Sequence, residues 1–298
     1  MVLVAFVARR VNPAEVADSW RGMSLPWATA TVGCFLLAMG VRVTKWAWQL
    51  RCLGLGFDSA DLVRNFLVSV LLGAVTPMRA GEAYRLAAVR FDPARKAEQM
   101  AVVGASLLLE KGFEVLVLVA MVAAGFVLAG SPYAAPLVGV VVVGGVLGLA
   151  PVRPPAGLVA RLPNAVRRLV VEPVLRARDG VPLGPRLGIV ALTAAAHLLN
   201  LVAALGVYRA FGPMPLDHFL LRMPLVTLTN VVPVSVGGIG VREATAMQLF
   251  GSAGFPASSA AVAASLVFLG ANVLPAVALL VVRPRRVAAV VDEPGAAR

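Results

Sequence analysis

From Ala101 to Ala129 the chain offers 29 residues of which only Glu110, Lys111 and Glu114 are charged. About twenty apolar residues let a helix cross a bilayer core roughly 30 Å thick, so such a run belongs in hydrocarbon. Leu187 to Phe211 and Ala257 to Val282 repeat the signal, and so does Pro26 to Gln49, with proline at its start and Trp46 and Trp48 near its far end. Hydrophobic residues make up 59% of the chain and charged residues 14%, which excludes an ordinary soluble protein. The 27 Lys and Arg against 15 Asp and Glu would suggest nucleic acid in a soluble domain. Here the basic residues fall mainly between apolar runs, where they mark a cytoplasmic face and meet anionic headgroups, so no nucleic-acid partner is expected. Cys34 and Cys52 lie in or at the edge of one span and read as packing residues, leaving neither a disulfide framework nor a Cys-based zinc site.

Two segments break the pattern. Leu62 to Thr76 is short for a crossing and stops at Pro77, after which Arg79, Glu82, Arg85 and Arg90 follow. Phe219 to Phe250 is interrupted by Pro233 and Gly237-Gly238-Ile239-Gly240. Both read as re-entrant hairpins. With a short Gly-rich span at Ala135 to Ala150, the expected fold is an all-α polytopic membrane protein of about five to six spanning helices plus two re-entrant or broken hairpins. Loop charges close this topology: Arg51 to Lys96, the stretch from Val152 to Arg186 with seven Arg and two acids, and Arg283 to Arg286 all fall on the cytoplasmic side. Two full helices in place of the second hairpin keep the same parity, so the hairpin reading rests on proline and glycine placement. The whole chain, 1–298, reads as a single membrane domain. It comprises an N-terminal segment (1–25), a first unit (26–129), a connector helix and basic loop lying solvated on anionic lipid (135–186), a second unit (187–282) and a tail (283–298). Each unit is span, hairpin, span, entered from opposite sides, the arrangement of inverted repeats that place a site near mid-membrane. Met1 to Ala8 is too short to cross and lacks a cleavage site, so it reads as a surface anchor or the remainder of a longer start.

Charge inside a membrane costs about 2.5–3.5 kcal/mol per residue on insertion scales, so it turns toward protein or water. Arg79, Glu82 and Arg85 cluster beside Pro77 and Gly81, residues suited to unwound backbone. Two arginines can fork a phosphate diester while the glutamate orients one of them; the alternative is a helix start whose charges pair with each other and with lipid. Glu110 and Glu114 share a helical face, with Lys111 three residues before Glu114. They need a cation: Lys111, an arginine of the first hairpin, or Arg242. Arg242 and Glu243 follow Gly238 and Gly240, with Thr227, Thr229, Asn230 and Ser235 upstream. His197 and Asn200 suggest an interhelical hydrogen bond, and Arg42 and Lys45 anchors snorkelling to the inner interface. No Walker A loop, HExxH, GxSxG or paired-Cys motif occurs, so no cofactor, metal or catalytic motif is assigned.

Four strings in this order, Arg42-x-x-Lys45-Trp46, Pro77-x-Arg79-x-Gly81-Glu82-x-x-Arg85, Glu110-Lys111-x-x-Glu114 and Pro233-x-x-x-Gly237-Gly238-x-Gly240-Val241-Arg242-Glu243-Ala244, resemble the signatures of the lysylphosphatidylglycerol synthase transmembrane-region family, also called flippase-like domain proteins. Lys111 and Glu114 stand where that pattern has Arg and Asp. The resemblance implies a multi-pass protein of a bacterial inner membrane that handles lipid, without the soluble aminoacyl-transferase domain that accompanies this region in synthases. The implied cargo is an anionic, aminoacylated or polyprenyl-phosphate-linked lipid, and the implied partners are that lipid and a separately encoded synthase or glycosyltransferase. On this reading Arg79, Arg85 and Arg242 hold a lipid phosphate. Glu82, Glu110, Lys111, Glu114 and Glu243 position those cations or receive a basic headgroup, and Pro77, Gly81, Pro233, Gly237, Gly238 and Gly240 form the breaks. The alternatives are a membrane-embedded transferase with Glu110 or Glu82 as general base, and a membrane subunit of a separate synthase.

Overall fold

The structure, a computed structural model, describes residues 14, 25–76, 79–149, 156–167, 171–230 and 238–281. Pro77, Pro233, Ser235, Gly237, the expected N-terminal anchor and the basic tail lie outside the described residues. The fold is all-α, as its long apolar runs require. Four helices are long and apolar enough to cross a membrane: α1 (Leu25–Cys52), α3 (Lys96–Leu128), α6 (Leu183–Ala210) and the composite helix Ala257–Val281. Between them lie α2 (Ser59–Val75), the 16-residue apolar α4 (Ala134–Leu149), α5 (Glu172–Asp179), α7 (Leu216–Leu228) and α8 (Val241–Gly251). The composite helix consists of α9 (Ala257–Phe268), a π turn at Leu269–Val273 and α10 (Leu274–Val281). The last span thus carries an irregularity just before Pro275, whose missing N–H and ring disturb the helix around Ala271, four residues upstream.

The first hairpin begins where the Asp58 carboxylate accepts hydrogen bonds from the Ala60 and Asp61 N–H groups, capping α2. Those bonds hold its carboxyl below the usual aspartate range. Beyond Thr76 the chain turns back along α2 as a 3₁₀ segment, Ala80–Ala88. A two-pair antiparallel ladder, Gly56 with Arg90 and Phe57 with Val89, ties its two ends together. The segment therefore enters and leaves on one side. The return is close: a Cβ on Gly81 would lie 2.4 Å from the Leu72 carbonyl carbon and 2.7 Å from the Gly73 nitrogen. Backbone cannot yield as a flexible side chain can, so Gly81→Ala should separate the hairpin arms. We expect it to cost at least about 2 kcal/mol, as overpacking does, read as a lowered unfolding midpoint and a shortened monodisperse lifetime in detergent.

In the second hairpin, α7 and α8 are clamped near their open ends by Arg222, whose Nε donates to the Leu249 carbonyl at 2.9 Å. Gly238 and Gly240 turn the chain into α8 with φ of +78° and +86°, values that favour glycine. Each hairpin also leans on helices of the other half of the chain: α7 packs along α3, and α2 contacts the π turn and α10, while α1 packs along α6. Two apolar clusters result. One gathers Tyr208, Phe219, Phe250 and Phe255 around α6, α7 and α8, with Tyr208 and Phe250 centroids 4.6 Å apart. The other joins Met39, Trp46, Leu62, Phe66 and Val103 of α1, α2 and α3.

Two expectations about basic residues are overturned. The stretch from Val152 to Arg186 is not uniformly solvated, because α5 folds back onto α3 and buries Arg178 while Arg186 is buried at the start of α6. Lys45 is no snorkelling anchor: it is 1% exposed, and the neighbouring Trp46 is fully buried rather than interfacial. Only Trp48 of that pair reaches the outer surface.

Candidate functional site

The charged residues of α1, α3 and the first hairpin meet in one network inside the helix bundle. Lys45 Nζ lies 2.9 Å from Glu110 Oε1 and 3.5 Å from Glu114 Oε1. Arg85, stacked 4.5 Å over the Phe66 ring, reaches Glu110 Oε2 at 3.0 Å and Glu82 Oε2 at 3.3 Å. Lys111 bridges Glu82 at 2.7 Å and Glu114 at 2.9 Å, and Arg79 Nε lies 2.7 Å from Glu82 Oε1. The cations sought for Glu110 and Glu114 are therefore Lys45, Lys111 and Arg85. Arg242 pairs instead with its neighbour Glu243.

On one side of this network lies a cavity of about 100 Å³ where α1, α3, α6, α7 and the composite helix converge with Arg79, Asn230 and Arg242 of the two hairpins. Glu114 and His197, which line it, stand near the middle of their 33- and 28-residue helices. Arg42, Arg79 and Arg242 also face it. The Nη1 of Arg42 and the Nη2 of Arg79 both donate to the single Oδ1 of Asn272, each at 3.4 Å. Two guanidinium groups thus share one neutral oxygen. Arg42 forms no ion pair among the described residues; its other bond is to the Ala271 carbonyl at 3.3 Å. Counting it, five cations (Arg42, Lys45, Arg79, Arg85 and Lys111) face three carboxylates (Glu82, Glu110 and Glu114). Uncompensated positive charge in a low-dielectric interior is costly, and an anion at its focus relieves that cost.

Local backbone holds this geometry. Arg79 is the one non-glycine among the described residues with positive φ, at 56°. A left-handed conformation costs a side-chain-bearing residue roughly 1–2 kcal/mol, and such strain concentrates at functional positions. Asn272 sits on the π turn, a departure from α geometry frequent at such sites. Its Nδ2 donates to the Phe268 carbonyl at 3.2 Å, which fixes the direction of Oδ1. On the opposite hairpin, Glu243 reaches back to the Gly240 N–H at 2.6 Å and accepts the Ser265 hydroxyl at 2.8 Å. It thereby orients Arg242, whose Nη1 meets Asn230 Oδ1 at 3.4 Å and whose guanidinium lies 4.2 Å over the Phe268 ring.

Of the expected phosphate-binding set, Arg79 and Arg242 line the cavity while Arg85 lies behind its wall, fully engaged with Glu82, Glu110 and Ser69. Lys111 and Glu82 are likewise held in the network rather than at the lining, and Glu243 serves Arg242. Gly81, Gly238 and Gly240 stand at the described parts of the two breaks. Arg42, expected as an interfacial anchor from its position near the basic end of α1, lies instead on the face of that helix turned into the bundle. Asn272 escaped notice altogether, since one amide in an apolar run carries no pattern. Among the described residues His197 and Asn200 do not form the interhelical bond expected of them; both face the cavity, where the Asn200 Oδ1 has no described hydrogen-bond partner.

No curated protein and no solved structure is significantly similar to this chain. The described helices, with their four spans and their internal ionic cluster, are those of an integral membrane protein. The model of the lysylphosphatidylglycerol synthase transmembrane region matches residues 1–279, and the chain belongs to that family.

Proposed function

We propose that this protein is a lipid translocase that carries an anionic phospholipid headgroup across the membrane through the cavity that Arg42, Arg79 and Arg242 face. The observation that carries this reading is the convergence of Arg42 and Arg79 on one amide oxygen, with Arg242 facing them from the other hairpin. Guanidinium forks match phosphate oxygens, and a phosphate between them replaces mutual repulsion with charge-assisted bonds. The site stands at mid-helix height, where a headgroup in transit must be solvated by protein. The reciprocal packing of each hairpin on the other unit supports two inverted units that rock about a central site.

The carboxylates favour translocation over group transfer. Glu82, Glu110 and Glu114 each lie against two or more cations, so none is poised as a general base. In liposomes holding the purified protein, a fluorescent anionic phospholipid should become accessible to a membrane-impermeant quencher faster than in protein-free vesicles. Arg242→Ala should slow this at least tenfold, on the order of one lost charge-assisted bond. Equal rates with and without protein, across anionic lipids, would dispose of the translocase.

A further inference from the structure

The cavity offers two kinds of unfilled hydrogen-bonding capacity, at separate places. Around Asn272 the capacity is donor: Arg42 and Arg79 have more N–H groups than the shared oxygen can occupy. Along the α6 and α7 walls it includes acceptors. The Asn200 Oδ1 is buried without a hydrogen-bond partner among the described residues. The Thr193 and Thr227 hydroxyls spend their protons on the Ile189 and Met223 carbonyls, at 2.8 and 3.0 Å, and keep their oxygens as acceptors. A ligand that satisfies both ends brings oxygen acceptors to the arginines and hydrogen donors to the α6–α7 wall.

Two classes of donor meet that requirement, ammonium and hydroxyl, and charge separates them. An ammonium needs a carboxylate. The carboxylate at the lining, Glu114, already has Lys45 at 3.5 Å on one oxygen and Lys111 at 2.9 Å on the other. An added ammonium would enter a site that holds more cations than anions, where like charge costs free energy. A neutral hydroxyl meets no such penalty and supplies the proton that an orphaned carbonyl oxygen lacks.

The geometry points to a substrate whose phosphodiester bears a hydroxylated, amine-free headgroup, a phosphoglycerol or glycosyl phosphate rather than an aminoacylated lipid, with Asn200 as the residue that selects it. The assignment rests on the translocase reading for its setting, but it is tested by binding, which does not depend on transport. The purified protein in detergent would be titrated with phosphatidylglycerol, phosphatidylmethanol and lysyl-phosphatidylglycerol, and bound lipid counted by native mass spectrometry. Phosphatidylmethanol has the same phosphate charge and no hydroxyl.

Phosphatidylglycerol should bind about tenfold more tightly than phosphatidylmethanol, the equivalent of one or two net hydrogen bonds, and lysyl-phosphatidylglycerol more weakly still. In Asn200→Leu the ratio of phosphatidylglycerol to phosphatidylmethanol binding should fall toward one. Asn200→Asp, nearly isosteric, should shift the preference toward the lysyl lipid by supplying the missing carboxylate. Equal binding of the first two lipids by the wild type, or a wild-type preference for the lysyl lipid, overturns the assignment. Selective binding in a protein that moves no lipid in liposomes would leave the assignment standing and remove the translocase alone.

Discussion

Glu110→Gln is expected to lower stability by about 3–5 kcal/mol, the penalty for stranding buried charge when one partner of an ion pair is removed. Glu110 is 2% exposed and holds Lys45 on one oxygen and Arg85 on the other, so the neutral amide leaves two buried cations short of a counter-charge at once. The measurement is the thermal unfolding midpoint in mild detergent together with the monodisperse fraction on size exclusion. The network joins α1, the first hairpin and α3, and its failure should loosen all three. A second variant separates lost charge balance from lost packing. Lys45→Met combined with Glu110→Leu removes a cation and an anion, leaves Arg85 with Glu82 and Lys111 with Glu114, and fills the space with apolar volume. This double variant should recover at least half of the lost stability, because buried ion pairs are often replaceable by well-packed apolar residues. A single variant that unfolds with the wild type would show that these charges do not organise the bundle.

Arg42→Gln should have effects of opposite sign on stability and function. Translocation of an anionic lipid should fall roughly ten- to a hundredfold, the loss of a charge-assisted contact of about 1.5–3 kcal/mol. Arg42→Lys should not restore it, since an ammonium cannot reproduce the guanidinium fork. Stability, by contrast, should rise, because Arg42 has no carboxylate partner among the described residues and the glutamine relieves its repulsion from Arg79. A residue that merely braced the fold would lose stability and rate together. A midpoint that drops in Arg42→Gln while transport persists would remove Arg42 from the site.

Most of the architecture is legible in the residues because membrane folding writes its strongest constraint as length. The α1, α3, α6 and composite spans announce themselves as apolar runs, and α2 shows its hairpin character through its shortness and the proline that follows. The ionic partners are harder to read. Helical spacing puts Glu110 and Glu114 on one face, yet nothing along the chain reveals that Lys45, more than sixty positions upstream, will meet both. That meeting depends on how α1 packs beside α3, a property of tertiary structure. Arg85 and Arg79 illustrate the same limit at short range. Six residues apart on one hairpin, they look equivalent, but the left-handed turn at Arg79 sends one to the cavity and the 3₁₀ return sends the other into the network. Asn272 is hard to read for a different reason: its importance comes from a change in helical pitch over Leu269–Val273, and Pro275, whose ring and missing N–H disturb the helix four positions upstream, lies beyond the turn itself.

That change in pitch makes the site fragile at the level of the gene. A π turn accommodates one residue more than the α-helix around it. Losing the codon for Leu269, Gly270 or Ala271 would remove that extra residue ahead of Asn272, with every arginine and glutamate of the protein still encoded. The amide oxygen on which two guanidiniums rest would rotate by about a quarter turn, away from the bundle centre. An intact inventory of charged residues is therefore no guarantee that such a chain can still seat an anion; the count of residues between Phe268 and Leu274 matters as much as their kind.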